Sequence, residues 1–267
     1  MPYINVRDTR LYYDIQGADN TETIVFSHGL LWSTYMWKEQ VAALSSQYRC
    51  IVYDHRGQGK SDVTKAGYEM DNLAEDAAEL IKQLCPNQQV HWVGLSMGGY
   101  VGQRVAARHG HLLKSLCLLN TSATAEDPRH LPKYRLLTTA VKLLGCWSVA
   151  SQVMPIMFSP TFLNDSSRYN DYKTFKSILS NNNRSVVHSV MAVVTRPDFT
   201  AELKHIKCPT LILAGGEDKA LPPAESETLH RLIANSQLTY MEQTGHMSTL
   251  ERPQLVTSLI KEFLESM

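Results

Sequence analysis

The sequence predicts an α/β fold, a mostly parallel central sheet flanked by helices, interrupted by a helical insertion. Three observations predict it. Short apolar, β-favouring runs alternate with amphipathic helical patterns up to residue 120 and again from Pro209 onward. Between them, over 121–197, the alternation stops and only helix-compatible pieces remain. The third is Gly94-Leu95-Ser96-Met97-Gly98, set between a strand-like run and a helical one. A serine at the tip of so sharp a turn leaves no room for side chains two positions on either side, so both become glycine. The domain reading is a core of 1–120 plus 198–267 and a helical lid of 121–197.

Tyr3 to Val6 and Leu11 to Ile15 flank Asp8-Thr9 as an opening hairpin. Thr23 to Ser27 reads as a strand running into His28-Gly29-Leu30-Leu31-Trp32-Ser33. A small glycine-containing loop just past an early strand is where a second oxyanion donor would come from, with the Leu30 N–H as the candidate. His28 reads as a histidine that fixes this loop, because a better-placed base occurs later. Trp37 to Ser46 has helical spacing, and Arg49 to Tyr53 is the next strand. The polar loop Asp54-His55-Arg56-Gly57-Gln58-Gly59-Lys60-Ser61-Asp62 holds only part of a dinucleotide fingerprint and opens no helix, so it reads as a structural network near the site. Met70 to Leu84 is an amphipathic helix that Asp71 or Asn72 could cap.

Val90 to Leu95 is a buried strand, and the pattern from Met97 through Tyr100 to Arg108 is the helix behind it. This turn presents the Ser96 Oγ, and the Met97 N–H is aimed at any oxyanion formed there. Leu112 to Leu119 is a further strand. His109 and His111, with no third ligand at useful spacing, read as a solvated helix end rather than a metal pair. In the insertion, helical pieces span Lys133 to Leu144, Trp147 to Met154, Asp171 to Asn181 and Ser185 to Val194, punctuated by prolines such as Pro155. Trp32, Trp147, Met154, Met157 and Phe158 are the candidates for an apolar substrate pocket. Thr210 to Ala214 is a strand followed by Gly215-Gly216-Glu217-Asp218, Glu225 to Ala234 a helix, and Gln237 to Met241 the last strand. Gly245-His246 follows it and leads into a final helix after Pro253.

A nucleophile, an acid and a base thus occur in the order Ser96, Asp218, His246, each in a loop after a strand. Composition excludes several other classes. With 26 basic and 26 acidic residues and no basic stripe, neither nucleic acid nor an anionic membrane is indicated as a partner. No apolar run approaches the roughly 20 residues of a membrane span, and the N-terminal stretch has no secretory-signal pattern. Five scattered cysteines without a C-x-x-C pair suit a reducing compartment, so a cytoplasmic location is expected. Oligomeric state is left open.

Taken together, Ser27-His28-Gly29, Asp54 to Ser61, Gly94 to Gly99, Gly215 to Asp218 and Gly245-His246 resemble the α/β-hydrolase fold family over the whole chain. Gly245 to Pro253 and Pro222-Pro223 are similar to its small serine esterase and oxoadipate enol-lactonase branch. Here Asp218 rather than Glu217 is the acid that this resemblance selects. It implies hydrolysis of a small ester or lactone through an acyl-enzyme, without metal or organic cofactor. Enol-lactone hydrolysis in aromatic-compound catabolism, cofactor-free perhydrolysis or haloperoxidation, and receptor-like binding without turnover are the alternatives. The loop Leu30 to Ser33 lacks the Ser-Asn-Ser start of the enol-lactonases, Met247 stands where ring-fission hydrolases carry tryptophan, and Ser96 replaces the aspartate of epoxide hydrolases and dehalogenases.

Overall fold

The computed structural model describes residues 2–267. Eight strands form one sheet: β1 (Tyr3–Val6), β2 (Thr9–Gln16), β3 (Thr23–Ser27), β4 (Arg49–Tyr53), β5 (Val90–Leu95), β6 (Leu113–Leu119), β7 (Thr210–Gly215) and β8 (Ser236–Met241). Their spatial order is β1-β2-β4-β3-β5-β6-β7-β8, antiparallel at β1 and β2 and parallel from β4 to β8. The helices are α1 (Lys38–Leu44), α2 (Met70–Leu84), α3 (Met97–Arg108), α4 (Leu131–Leu144), α5 (Trp147–Met157), α6 (Pro160–Asn164), α7 (Tyr169–Ser180), α8 (Val186–Val194), α9 (Pro223–Leu232), α10 (Ser248–Glu251) and α11 (Pro253–Glu265).

The near-continuous apolar strands make sense because both faces of the sheet are covered. In β6, Leu116 and Leu118 join a core beneath α2, α3 and α9, whereas Cys117 and Leu119 join one beneath α1 and α11. The same two-residue alternation puts Val25 and Ile212 on the first side, and Phe26 and Leu213 on the second. Since β3 to β8 are parallel, the loops carrying Leu30, Ser96, Asp218 and His246 all leave the same, C-terminal edge. Helices α4 to α8 fall between β6 and β7.

Several local expectations are corrected. Residues 34–37 form a 3-10 turn, so α1 starts only at Lys38. Pro155 does not end α5, which runs on to Met157: proline removes one N–H, and the packed face of Ala150 and Met154 holds the helix through it. Neither Asp71 nor Asn72 caps α2; Glu69 is the N-cap residue without a side-chain bond, and Asp71 instead receives the Arg104 Nε–H at 2.6 Å.

Candidate active site

Ser96 sits between β5 and α3 with φ 54° and ψ −113°, a strained conformation for a residue with a side chain. The flanking glycines explain how the turn is tolerated. A Cβ on Gly94 would lie 2.3 Å from the Gly98 carbonyl oxygen, and one on Gly98 would lie 2.0 Å from that of Ser27. Ser96 is held by its backbone: its N–H donates to Leu119 O at 2.9 Å, and its carbonyl accepts the Thr121 hydroxyl at 2.8 Å. The side chain is left to face a cavity, which it lines together with Leu30 and His246.

His246 and Asp218 form a buried pair, with Nδ1 2.8 Å from Oδ2. The carboxylate is saturated by other donors. Asp218 Oδ1 accepts the Ala220 and Leu221 N–H groups at 2.8 and 2.9 Å, and Oδ2 accepts Asn120 Nδ2 at 3.0 Å. A carboxylate so fixed orients the ring and leaves Nε2 as the nitrogen that can exchange a proton. Neighbouring Glu217 points elsewhere, accepting the Thr161 N–H and hydroxyl on α6.

The loop after β3 is fixed by the polar network around Asp54. His28 Nδ1 donates to Gly29 O at 2.7 Å, and Nε2 accepts the His55 N–H at 2.9 Å, so the ring is neutral and used at both nitrogens. Burial pushes the pKa of both His28 and His55 down. Asp54 accepts the Thr34 and Lys60 N–H groups, and Gln58 Oε1 accepts the Leu31 N–H at 2.9 Å. Gly29 N–H is directed at Met36 Sδ, 3.3 Å away. Between these two, the Leu30 N–H has no partner among the described residues, and the Met97 N–H, first in α3, likewise has none.

The cavity has a volume of about 310 Å³ and is walled mainly by aliphatic side chains of α4, α5 and α8, among them Leu137, Val141, Val153, Val187 and Val190. Of the five pocket candidates read from the sequence, Met157 lines it. Trp32, Met154 and Phe158 do not: they are buried in the core beside it, where Trp32 meets Phe158 edge-on at 6.1 Å. Trp147 is 65% exposed on the outside of the helical layer. The expectation fails for these four because apolar character alone does not say which way a side chain turns, into the cavity, the core or solvent.

Three residues escaped sequence reasoning. Asn120, directly after β6 and at φ 46°, donates to both Asp218 and Gly245 O and accepts the Ser248 hydroxyl at 2.7 Å. A polar residue at a strand's C-terminal end was the available signal. Glu251 accepts the Gly245 N–H at 3.0 Å and the Ser159 hydroxyl at 2.6 Å, joining the histidine loop to the start of α6; burial raises its pKa. Arg196 closes a polar end of the cavity with Glu126, His130 and Lys133. Its guanidinium lies 4.4 Å from the centre of the Tyr100 ring and 3.7 Å from Glu126, with Nε unpartnered among the described residues. It directly precedes Pro197, where the sequence showed only a loop.

Comparison with known proteins agrees with this architecture. Residues 22–141 match the family model described as alpha/beta hydrolase fold. Among curated proteins, 3-oxoadipate enol-lactonase 1 of Acinetobacter baylyi is 29% identical, with 98% of this chain and 96% of the relative covered. Among solved structures, the enol-lactonase from Burkholderia xenovorans LB400 superposes with a TM-score of 0.90 at 28% identity, covering 99% of this chain and 100% of that one. A thermophilic esterase from Thermogutta terrifontis, bound to malate, gives 0.89 at 28% identity, covering 97% and 94%.

Proposed function

This chain has the α/β-hydrolase fold, and from that premise we propose that it is a serine hydrolase cleaving a small carboxylic ester or lactone through an acyl-enzyme. The observation that carries the reading is the strained Ser96 turn facing one cavity together with a His246 whose Nδ1 is tied to a buried carboxylate.

In this reading Ser96 Oγ attacks the carbonyl carbon while His246 Nε2 takes its proton. Asp218 holds the tautomer and stabilises the imidazolium. The C–O bond to the leaving group then breaks, and His246 returns the proton to the departing oxygen. Water, deprotonated by the same nitrogen, attacks the acyl-enzyme and frees the acid and Ser96. The Leu30 and Met97 N–H groups receive the oxyanion in both halves; losing one such donor costs about 3 kcal/mol of barrier. Residues 121–197 act as a lid whose aliphatic side chains receive the acyl or alcohol group.

The relatives named as enol-lactonases favour a lactone as the second reading, in which the leaving oxygen stays tethered to the acyl group. Peroxide-dependent chemistry and binding without turnover would use the same groups, and no observation favours either. The test is a panel of para-nitrophenyl esters of increasing acyl length beside a panel of lactones, wild type against Ser96→Ala. Turnover in either panel that disappears in the variant supports the reading and separates its two forms. A Ser96→Ala protein that hydrolyses as fast as wild type would sink it.

A further inference from the structure

Helix α4 carries two apolar faces. Tyr134, Leu137, Thr138 and Val141, at helical spacing, turn inward and line the cavity. Leu136 and Leu143, seven residues apart, lie on the opposite side and are 72% and 71% exposed. Leu144 at the helix end and Trp147 at the start of α5 extend this face, 54% and 65% exposed. The Trp147 ring lies against Gly145, a Cβ there coming within 3.3 Å of it, so the turn leaves the indole beside the helix end. These are four of the large apolar side chains that the protein exposes, gathered on one helix and the residues just after it.

The charges that α4 itself carries are of one sign. No acidic residue occurs between Asp127 and Asp165, in a chain that otherwise balances its charges. Arg135 and Lys142, on one side of the leucine stripe, are exposed and have no ion pair among the described residues; Lys133, on the other side, is likewise exposed but sits at the polar end of the cavity. Arg129, just ahead of the helix, is paired with Asp127. An apolar stripe with an aromatic at its end and flanking cations is the pattern of a helix that lies in a bilayer interface, leucines in the acyl boundary and cations at the headgroups. A second copy of the chain fits less well, since a two-fold contact would set these cations against their own counterparts.

We propose that the outer face of α4, with Trp147, docks the protein reversibly on an anionic lipid surface. No helix of the described residues is long and apolar enough to cross a membrane, so the association is peripheral. The zero net charge hides the patch because acidic residues elsewhere cancel it. The docking leaves α4 as the wall between the lipid and the cavity.

The experiment is co-sedimentation of the full chain with phosphatidylcholine vesicles and with vesicles that also contain phosphatidylglycerol, at low and high salt. Binding is expected only with phosphatidylglycerol and should weaken with salt. Arg135→Gln with Lys142→Gln should weaken it roughly fivefold per charge, and Leu136→Asp with Leu143→Asp by roughly tenfold or more per leucine. Both pairs point away from the cavity, so circular dichroism and thermal melting should match wild type. Failure to sediment with phosphatidylglycerol vesicles while folded, or binding that ignores both pairs of substitutions, overturns the proposal. So does a wild-type dimer in sedimentation velocity that Leu136→Asp with Leu143→Asp converts to monomer without any vesicle binding. None of these outcomes depends on the chemistry at Ser96.

Discussion

Replacing Gly98 by alanine tests the turn from its geometry alone. Helix propensity predicts a gain, because Gly98 lies in α3 and alanine is favoured there by about 1 kcal/mol. Sterics predict the reverse. The new Cβ would stand 2.0 Å from Ser27 O where an ordinary contact begins at 3.4 Å, so one backbone must retreat by about 1.4 Å. Ser27 ends β3 and Gly98 is the second residue of α3, both contributing backbone rather than a flexible side chain, and overpacking of this kind costs about 1–3 kcal/mol. The retreat separates the Leu30 loop from the start of α3, the two sources of the proposed oxyanion donors. A misplacement near 1 Å costs on the order of 10²-fold in rate. The assay is kcat on the best ester or lactone together with a melting curve. Gly98→Ala should lose about two orders of magnitude in kcat and show no rise in Tm. Gly110→Ala, whose added Cβ meets nothing within 4 Å, should stay within about 0.5 kcal/mol of wild type and keep full activity. A Gly98→Ala protein that is more stable and fully active would refute the steric argument.

Other perturbations follow from the same geometry. Asn120→Ala removes the donor to Asp218 and Gly245 at once and should lower kcat on the order of tenfold or more while KM changes little, which steady-state kinetics would reveal. Glu251→Ala strands the Gly245 and Ser159 donors in the interior and should cost about 3 kcal/mol, read as a lower midpoint in urea. Burial depresses the pKa of His28, His55 and His91, the last to about 4, so the unfolded chain binds protons that the folded one does not. Their neutral burial is therefore fully compatible with folding above the ordinary value of about 6.5, and stability falls as pH drops below it, by about 1.4 kcal/mol per pH unit for each proton taken up. Denaturation midpoints at pH 5 and 7 measure this, and His91→Gln should flatten the slope; equal slopes in the two proteins would contradict the assignment.

Much of the architecture was legible because parallel strands buried on both faces must read as apolar runs, and β3, β5, β6 and β7 do. The Ser96 turn was legible because only glycine fits at 94 and 98, a constraint that the sequence must obey. The contact of His246 with Asp218 was legible only in part. Position after a strand says which loops share an edge, whereas Glu217 is an equally good carboxylate until the turn aims it at Thr161 instead. The cavity wall was least legible. Trp32 and Phe158 pack against each other, Trp147 faces outward, and aliphatic residues such as Val187 and Val190, indistinguishable from core in one sequence, line the space. Asn120 was missed because its importance lies in contacts with residues far along the chain, at Asp218 and Gly245.

The central claim is that Ser96 is a nucleophile activated by His246. Its most direct measurement is the intact mass of the protein after exposure to a fluorophosphonate, followed by peptide mapping. One adduct on Ser96 is predicted, absent from Ser96→Ala and formed far more slowly in His246→Ala. An adduct of equal yield in Ser96→Ala, or labelling of wild type at another residue alone, would contradict the account.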